Sequence, residues 1–361
     1  MSLRFVQVAS ERDKSAGLGG RGKMLDSVQI VRELDIDAWD GFLEGNPHAN
    51  VFHSRHMFQS FQRAARCKPF LWAAVGRDGR VLAMLQPVEI TVWNGPLRYL
   101  TTRAVAHGSV LCEPGPDGER ALGTLLEAYK SETKHRLLFT ELRNLADMSG
   151  HQHVMRECGF RYEDHLNFLI DLRRPARDLW GGIRGSARRN IEKAQRQNVR
   201  IDKARCPQDV IDAYGVLTKG YRRIQVPLPD ISLFESAFEI MRPLRMFDIL
   251  LARVDEQTIG VVTLLVYKEV MLYWYSAFLR EYSEYRPADL LVWRALELGQ
   301  QYGCRTFDFG GGGKPAEEYG VRDFKAKFGG VLVNFGRNTC VHAPRILMLS
   351  RAGYRIARRF L

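Results

Sequence analysis

What most restricts the fold of this chain is a figure that occurs twice. Phe70-Leu71-Trp72-Ala73-Ala74-Val75 runs into the polar turn Gly76-Arg77-Asp78-Gly79-Arg80 and returns as Val81-Leu82-Ala83-Met84-Leu85. Two short apolar runs about a turn are how a β-hairpin reads. Phe247-Asp248-Ile249-Leu250-Leu251-Ala252 does the same through Asp255-Glu256-Gln257 into Thr258-Ile259-Gly260-Val261-Val262. Phe70, Asp78 and Leu82 map onto Phe247, Asp255 and Ile259 by one shift, 177 residues. A constant offset predicts a duplication. The 361 residues agree, because they exceed what a single hydrophobic core usually serves.

The segments after each hairpin match as well. A third strand (Leu97 to Leu100; Val270 to Ser276) precedes an amphipathic helix (Gly118 to Lys134; Pro287 to Tyr302) and a further strand (Leu137 to Leu142; Thr306 to Phe309). Leu290, Leu291, Trp293, Leu296 and Leu298 recur near helical period against Arg294, Glu297 and Gln300. A helix over Asn50 to Ala65 leads the first half, and helices over Asp209 to Tyr221 and Ser232 to Met241 lead the second. The fold class expected is therefore α/β (α+β): two tandem units, each a mostly antiparallel sheet flanked by helices, in the element order of the GNAT acyltransferase superfamily. The domains expected are a flexible segment 1–26, a first GNAT-like unit 27–175, a second 176–344 and a basic amphipathic helix 345–361.

Charge is informative once it is located. Of the net +12, the stretch from Arg173 to Arg205 carries eleven Lys/Arg against three acids, and Arg337 to Leu361 carries six Arg against none. Two basic patches on a chain otherwise near neutrality point to phosphate groups or an anionic membrane surface. Arg184, Arg188, Arg189, Lys193 and Arg196 share one face of a helix over Arg184 to Asn198. Arg351, Arg355, Arg358 and Arg359 alternate with Ile346, Leu347, Leu349, Tyr354, Ile356 and Phe360, as in a helix lying on the inner leaflet of a membrane. No apolar run approaches the ~20 residues that span a bilayer, and Met1 to Lys23 has no apolar h-region, so the expected location is cytoplasmic, peripheral at the inner membrane face. Six cysteines without CxxC spacing fit reduced thiols and give no zinc site, and no metal is expected. His53 and His56 lie three apart with no carboxylate nearby, which reads as capping or packing.

Chemistry concentrates near the end of the chain. Thr306-Phe-Asp-Phe-Gly-Gly-Gly-Gly-Lys314 leaves a strand through four glycines, whose backbone can approach a ligand closely. Phe324-Lys325-Ala326-Lys327-Phe328-Gly329-Gly330 follows. With Tyr319-Gly320-Val321-Arg322-Asp323, the Ser186-Ala-Arg-Arg-Asn-Ile-Glu-Lys-Ala194 run and Thr218 to Pro229, these motifs resemble the Fem-type aminoacyltransferases of peptidoglycan cross-bridge formation and their FemAB-like relatives. The resemblance spans roughly residues 27–340. It implies two GNAT-like domains with the acceptor in a cleft at their junction, and transfer of an aminoacyl group from aminoacyl-tRNA to an amine of a lipid- or nucleotide-linked muropeptide.

Acyl transfer to an amine passes through a tetrahedral oxyanion, and a donor aimed at that oxygen is usually the largest catalytic term. By resemblance Lys325 takes that role, and Asp308 orients the amine or accepts its proton. Arg222 and Arg223 are candidates to clamp acceptor phosphates. Tyr285, Gly310, Gly311, Arg322 and Phe324 complete the substrate-binding set. No Ser/His/Asp or Cys/His set is apparent, so no covalent acyl-enzyme is expected.

No resident cofactor is expected, and the acyl donor, aminoacyl-tRNA or acyl-CoA, is left open. The staphylococcal-type helical arm has no room within Asp202 to Arg253, and Tyr285-Arg286-Pro287-Ala288-Asp289 lacks the glycines of a CoA-binding turn, with Asp289 opposed to phosphate. The partners expected are a phosphate-bearing envelope precursor, charged tRNA and the inner leaflet. Two rival readings stand beside the first. One is an acyl-CoA-dependent N-acyltransferase of an amino sugar in polysaccharide or lipid biosynthesis. The other is a non-catalytic nucleic-acid binder, in which Trp180 is the one aromatic among the charges of Arg173 to Arg205.

Overall fold

The computed structural model describes residues 28–92 and 95–348, so the expected segment 1–26 and all but the first turn of the expected helix 345–361 lie outside the described residues. In the first half the apolar runs become β1 (Gln29–Val31), β2 (Cys67–Pro69), β3 (Trp72–Val75), β4 (Val81–Leu85), β5 (Val88–Ile90), β6 (Arg103–Ala106), β7 (Val110–Cys112), β8 (Phe139–Arg143) and β9 (Arg161–Glu163). Their helices are α1 (Ile36–Gly45), α2 (Arg55–Arg63), α3 (Pro116–Thr133) and α4 (Gln152–Glu157). The second half contributes β10 (Leu166–Asp171), α5 (Ala176–Gly182), α6 (Gly185–Arg196), β11 (Arg200–Lys203), α7 (Pro207–Arg223), α8 (Ile231–Met241), β12 (Phe247–Val254), β13 (Gln257–Tyr267) and β14 (Val270–Phe278). It closes with α9 (Pro287–Gln301), β15 (Thr306–Gly311), α10 (Gly320–Lys325), β16 (Val331–Asn334) and β17 (Arg337–Val341). No helix among the described residues is long and apolar enough to cross a membrane.

The strands form ladders in the orders β1-β3-β4-β7, β2-β5-β6-β8-β17-β9 and β11-β12-β13-β14-β15-β10-β16. The first two belong to one bent sheet, because β2–β3, β4–β5 and β6–β7 are each a single path interrupted by a few residues. Between β4 and β5 the break falls at Gln86-Pro87, where proline has no N–H for the ladder.

The duplication is visible in the pairing. Both hairpins slip register at one equivalent place, between Ala74 and Val75 and between Ala252 and Arg253. In both halves one pair of strands is parallel: Ala104↔Thr140 and Val105↔Glu141 in β6/β8, Met271↔Phe307 and Leu272↔Asp308 in β14/β15. The offset, however, is not a constant 177. It is 178 along the outgoing hairpin strands, 177 along the return strands and 167 from the parallel pair onward. The second hairpin turn is one residue shorter, and the link before the third strand is ten residues longer in the first half. That link explains a misplaced strand: 97–100 falls in a 3-10 turn, Gly95–Leu100, with Pro96 near its start, and the third strand is β6–β7.

A division at residue 175 is also crossed in both directions. β10 enters the second sheet between β15 and β16, and β17 returns to the first sheet between β8 and β9. An apolar core joins the halves: Phe52, Met57 and Phe61 of the first pack in one cluster with Leu217, Phe234, Phe247 and Leu265 of the second. The exchanged strands and this shared core fix the junction at which the site is built.

Candidate functional site

The pairing of β14 with β15 begins at Val270↔Thr306 and stops at Leu272↔Asp308. Against β13, the register of β14 slips between Thr263 and Leu264, which leaves Trp274 as the additional residue between Tyr273 and Tyr275. Such a bulge re-aims a strand. Beyond Leu272 the two strands part, and the edges of β14 at Tyr273 to Tyr275 and of β15 at Gly310 and Gly311 face a cavity of about 180 Å³. Its opposite wall comes from the first half: Phe52, His107, Arg143 and Asn144, closed by His165, Asn167 and Arg337 of the exchanged segments. A junction cleft, as the resemblance implies, is thus present.

Asp308 sits where the strands part, directly behind the wall: it is not itself among the residues that line the cavity, whereas Asn167 and Gly310, which hold it, are. It is 3% exposed, and its Oδ1 accepts from Asn167 Nδ2 at 2.7 Å and from the Gly310 N–H at 2.6 Å. Burial raises its pKa above the ordinary carboxylate value, against the two hydrogen bonds and the nearby Lys325. Gly310 holds φ +67°, which an L side chain rarely adopts, and a Cβ on Gly311 would lie 2.5 Å from His165 Nε2. The glycine run is therefore required by close approach of the exchanged segment as well as by backbone conformation.

Lys325 is brought to this place but not into the cavity. It is 6% exposed, and Nζ donates to the carbonyls of Phe309 (2.6 Å), Gly311 (2.9 Å) and, more weakly, Gly310 (3.4 Å). An ammonium has three N–H groups, and all three are directed at the glycine strand. The expected direct oxyanion donor is therefore corrected to a clip that holds the cleft wall from behind. Burial lowers its pKa to about 8, opposed by Asp308.

Other expected residues fall elsewhere. Arg322 donates to the carbonyls of Lys314 (2.7 Å) and Glu317, fixing the glycine-rich loop instead of substrate. Phe324 stacks edge-on against Phe328 at 5.3 Å. Tyr285 packs on Tyr282 at 5.9 Å, and neither lines the cleft. Arg222 and Arg223 end α7 as exposed side chains, with Arg223 over the Phe278 ring at 5.6 Å, near the free end of β14. The expected Cys/His absence is corrected too: Cys112 Sγ lies 3.5 Å from His151 Nε2. Burial pushes that thiol up to about 11, so it holds its proton at neutral pH and makes no nucleophile. His53 accepts from the Asn50 N–H at 3.2 Å, the capping role expected of it.

The structure adds a charged group that sequence reasoning passed over. Glu141 occupies in β8 the register position that Asp308 occupies in β15. Burial favours its neutral form, but Arg143 (2.6 Å) and Arg337 (3.4 Å) outweigh that and hold its pKa at about 2. Arg337 Nη2 also donates to His165 Nε2 at 2.9 Å. Burial first, and then Arg337, lower the His165 pKa to about 4, so the ring is a neutral acceptor at that nitrogen. Each half thus places one carboxylate in its parallel strand pair, and Arg143 of the first half and Arg337 of the exchanged β17 line the cavity. Arg337→Gln is expected to leave Glu141 and His165 without their shared cation, weakening the hold of the cavity on an anion at least tenfold and lowering stability by roughly 3 kcal/mol. Anion titration and a thermal melt on one preparation check both.

Residues 182–325 match a family model described as an acetyltransferase (GNAT) domain. No curated protein matches the chain significantly. Among solved structures, the crystal structure of FemX is similar with TM-score 0.66 and 13% identity, over 89% of this chain and 99% of that one. A tandem GNAT protein from the clavulanic acid biosynthesis pathway gives 0.56 and 14%, over 88% and 99%. L-PGS from Bacillus licheniformis gives 0.55 and 14%, over 89% and 97%.

Proposed function

We propose, from the premise that this chain is a tandem-GNAT acyltransferase of the FemAB-like kind, that it transfers an aminoacyl group from a charged tRNA to an amine of a phosphate-bearing envelope precursor. The observation that carries this reading is the parting of β14 and β15 at Asp308, which opens two strand edges onto one interdomain cavity.

A carbonyl entering that gap meets the backbone of β14 beyond Leu272; the Tyr275 N–H is taken by Thr263 Oγ1 at 3.0 Å, so the donor proposed for the tetrahedral oxyanion is the N–H of the bulged Trp274. The acceptor amine attacks the carbonyl carbon of the aminoacyl ester. Asp308 takes the proton that the nitrogen loses, the bond from carbon to the ribose oxygen breaks as the amide forms, and the proton passes to that leaving oxygen. Lys325 keeps the glycine strand, and with it Asp308, in place. Arg143 and Arg337 face the acceptor's anionic groups from the other wall.

Donor choice rests on α9. In a CoA-dependent relative a diphosphate would lie on the amino end of this helix, where free N–H groups and the helix dipole favour anions. Here Pro287 removes one N–H, and Asp289, 7% exposed with Oδ1 lacking a hydrogen bond, sits in the first turn. A carboxylate there repels a diphosphate. In support of tRNA, Ala187, Ile191 and Ala194 bury the other face of α6, which leaves its arginines and lysine turned outward as a phosphate-binding surface. The description of the family as acetyltransferases favours the second reading, transfer from an acyl-CoA to an amino sugar. The titration of Asp289 tests the first. Burial raises its folded pKa, so the carboxylate costs stability increasingly as pH rises through that value. Asp289→Asn is expected to raise stability at pH 7 by about 1 kcal/mol and to leave turnover with charged tRNA unchanged. A large loss of turnover would place Asp289 in the reaction. The inner-leaflet association expected of 345–361 is a further part of this reading.

A further inference from the structure

A second cavity, of about 550 Å³, opens at the outer edge of the second sheet, where β11 pairs with β12, away from the parting strands. Its lining brings four cations, Lys203, Arg205, Arg242 and Arg245, against two carboxylates, Asp202 and Asp248. Both carboxylates are already engaged. Asp248 is 4% exposed, paired to Lys203 Nζ at 2.9 Å, and accepts from the Tyr302 hydroxyl at 2.7 Å. Asp202 faces Arg253 at 3.7 Å.

Two of the arginines, Arg242 and Arg245, lie beside aromatic rings. The Arg242 guanidinium lies 4.9 Å from the Phe238 ring, and that of Arg245 lies 6.0 Å from the Tyr302 ring. Arg245 sits at φ +57°, a left-handed conformation that costs a non-glycine residue energy and is retained only where the surroundings enforce it. A half-enclosed space of ligand size, with a rigid Lys203–Asp248–Tyr302 floor and guanidinium forks around it, has the chemistry of a phosphate site.

We propose that this cavity binds the diphosphate of a small phosphorylated metabolite of mononucleotide size, at a site separate from the acyl-transfer cleft. The residues form no part of the cleft, so the inference stands whether or not the acyl donor is a charged tRNA.

Isothermal titration of the full chain with inorganic pyrophosphate, UDP and uridine tests it. Pyrophosphate and UDP are expected to bind and uridine not, with affinity falling as salt rises. The double variant Arg242→Gln/Arg245→Asn, in which asparagine tolerates the left-handed backbone, is expected to lose affinity for both phosphates by at least ~10-fold. Its melting temperature should stay near that of the parent, and Arg337→Gln in the cleft should leave UDP affinity unchanged. Equal binding by parent and double variant overturns the proposal, as does absence of binding by either phosphate. So does loss of UDP binding in Arg337→Gln but not in the double variant, which would put the phosphate in the cleft. If unacylated tRNA alone is held through Arg242 and Arg245, the cavity is a nucleic-acid surface and the small-metabolite assignment is wrong.

Discussion

Asp308→Asn is expected to lower turnover by roughly two to four orders of magnitude, the range over which a positioned general base acts. Asparagine keeps the shape and an acceptor for Asn167 and the Gly310 N–H, so the loss should fall on kcat with KM little changed. Stability should not suffer. A buried carboxylate whose folded pKa is raised contributes stability at low pH that is lost as pH rises through that pKa, so removing the charge at pH 7 is neutral or favourable. The same shift predicts that kcat of the parent rises with pH through a value above the ordinary 3.8 of a free aspartate, and that this acid limb is missing from the variant. Turnover within a few-fold of the parent would reduce Asp308 to a loop cap.

The second large effect is at Lys325. Alanine there leaves three carbonyls, of Phe309, Gly310 and Gly311, without their cation. The expected result is a ~100-fold or greater fall in turnover, because a shifted cleft wall misplaces the reacting groups, accompanied by roughly 2–4 kcal/mol of lost stability from unsatisfied buried acceptors. This differs from the signature of a direct oxyanion donor, whose loss would leave the melt untouched. Arginine keeps the charge but presents a planar fork where a compact ammonium is needed, so only part of the rate returns.

The pH dependence follows from the lowered pKa of about 8 against 10.5 for a free lysine. Between these values the unfolded chain binds more protons than the folded one, so this group makes stability climb with pH across that window. Activity should move the other way, falling as Lys325 loses its proton and one carbonyl its donor. In Lys325→Arg, which stays charged, the alkaline limb near pH 8 should disappear.

The residues differ in how far their roles could be read in advance, and the reason is physical. Hairpins and amphipathic helices are local: apolar period and turn residues at Phe70 to Leu85 and Phe247 to Val262 specify them within a few residues. The exchange of β10 and β17 is a pairing between segments well over a hundred residues apart, as in Ile170↔Phe307 and Thr140↔Cys340, and no period in either strand encodes its partner. Asp308 is legible because it stands in the Phe307-Asp308-Phe309-Gly310-Gly311 motif that carries the resemblance, as a carboxylate able to orient an amine or accept its proton. Glu141 was harder to single out, since Phe139-Thr-Glu-Leu-Arg143 alternates as any half-buried strand does. The signal that finds it is the second offset, 167, which superposes it on Asp308 once the longer link before β6 is allowed for. Arg322 and Phe324 share with Lys325 the motif that carries the resemblance, yet on a short helix successive side chains point in different directions. Lys325 turns to the glycine strand, Phe324 to Phe328 and Arg322 to the loop.

Donor exchange tests the central claim most directly. The full chain, offered labelled aminoacyl-tRNA and, in parallel, labelled acetyl-CoA with a nucleotide-linked muropeptide and an amino sugar as acceptors, is followed by the appearance of label in an amide. The account predicts label from aminoacyl-tRNA in the muropeptide amine, abolished by Asp308→Asn and unaffected by Arg242→Gln/Arg245→Asn. Label arriving from acetyl-CoA on the amino sugar, with none from tRNA, would contradict it.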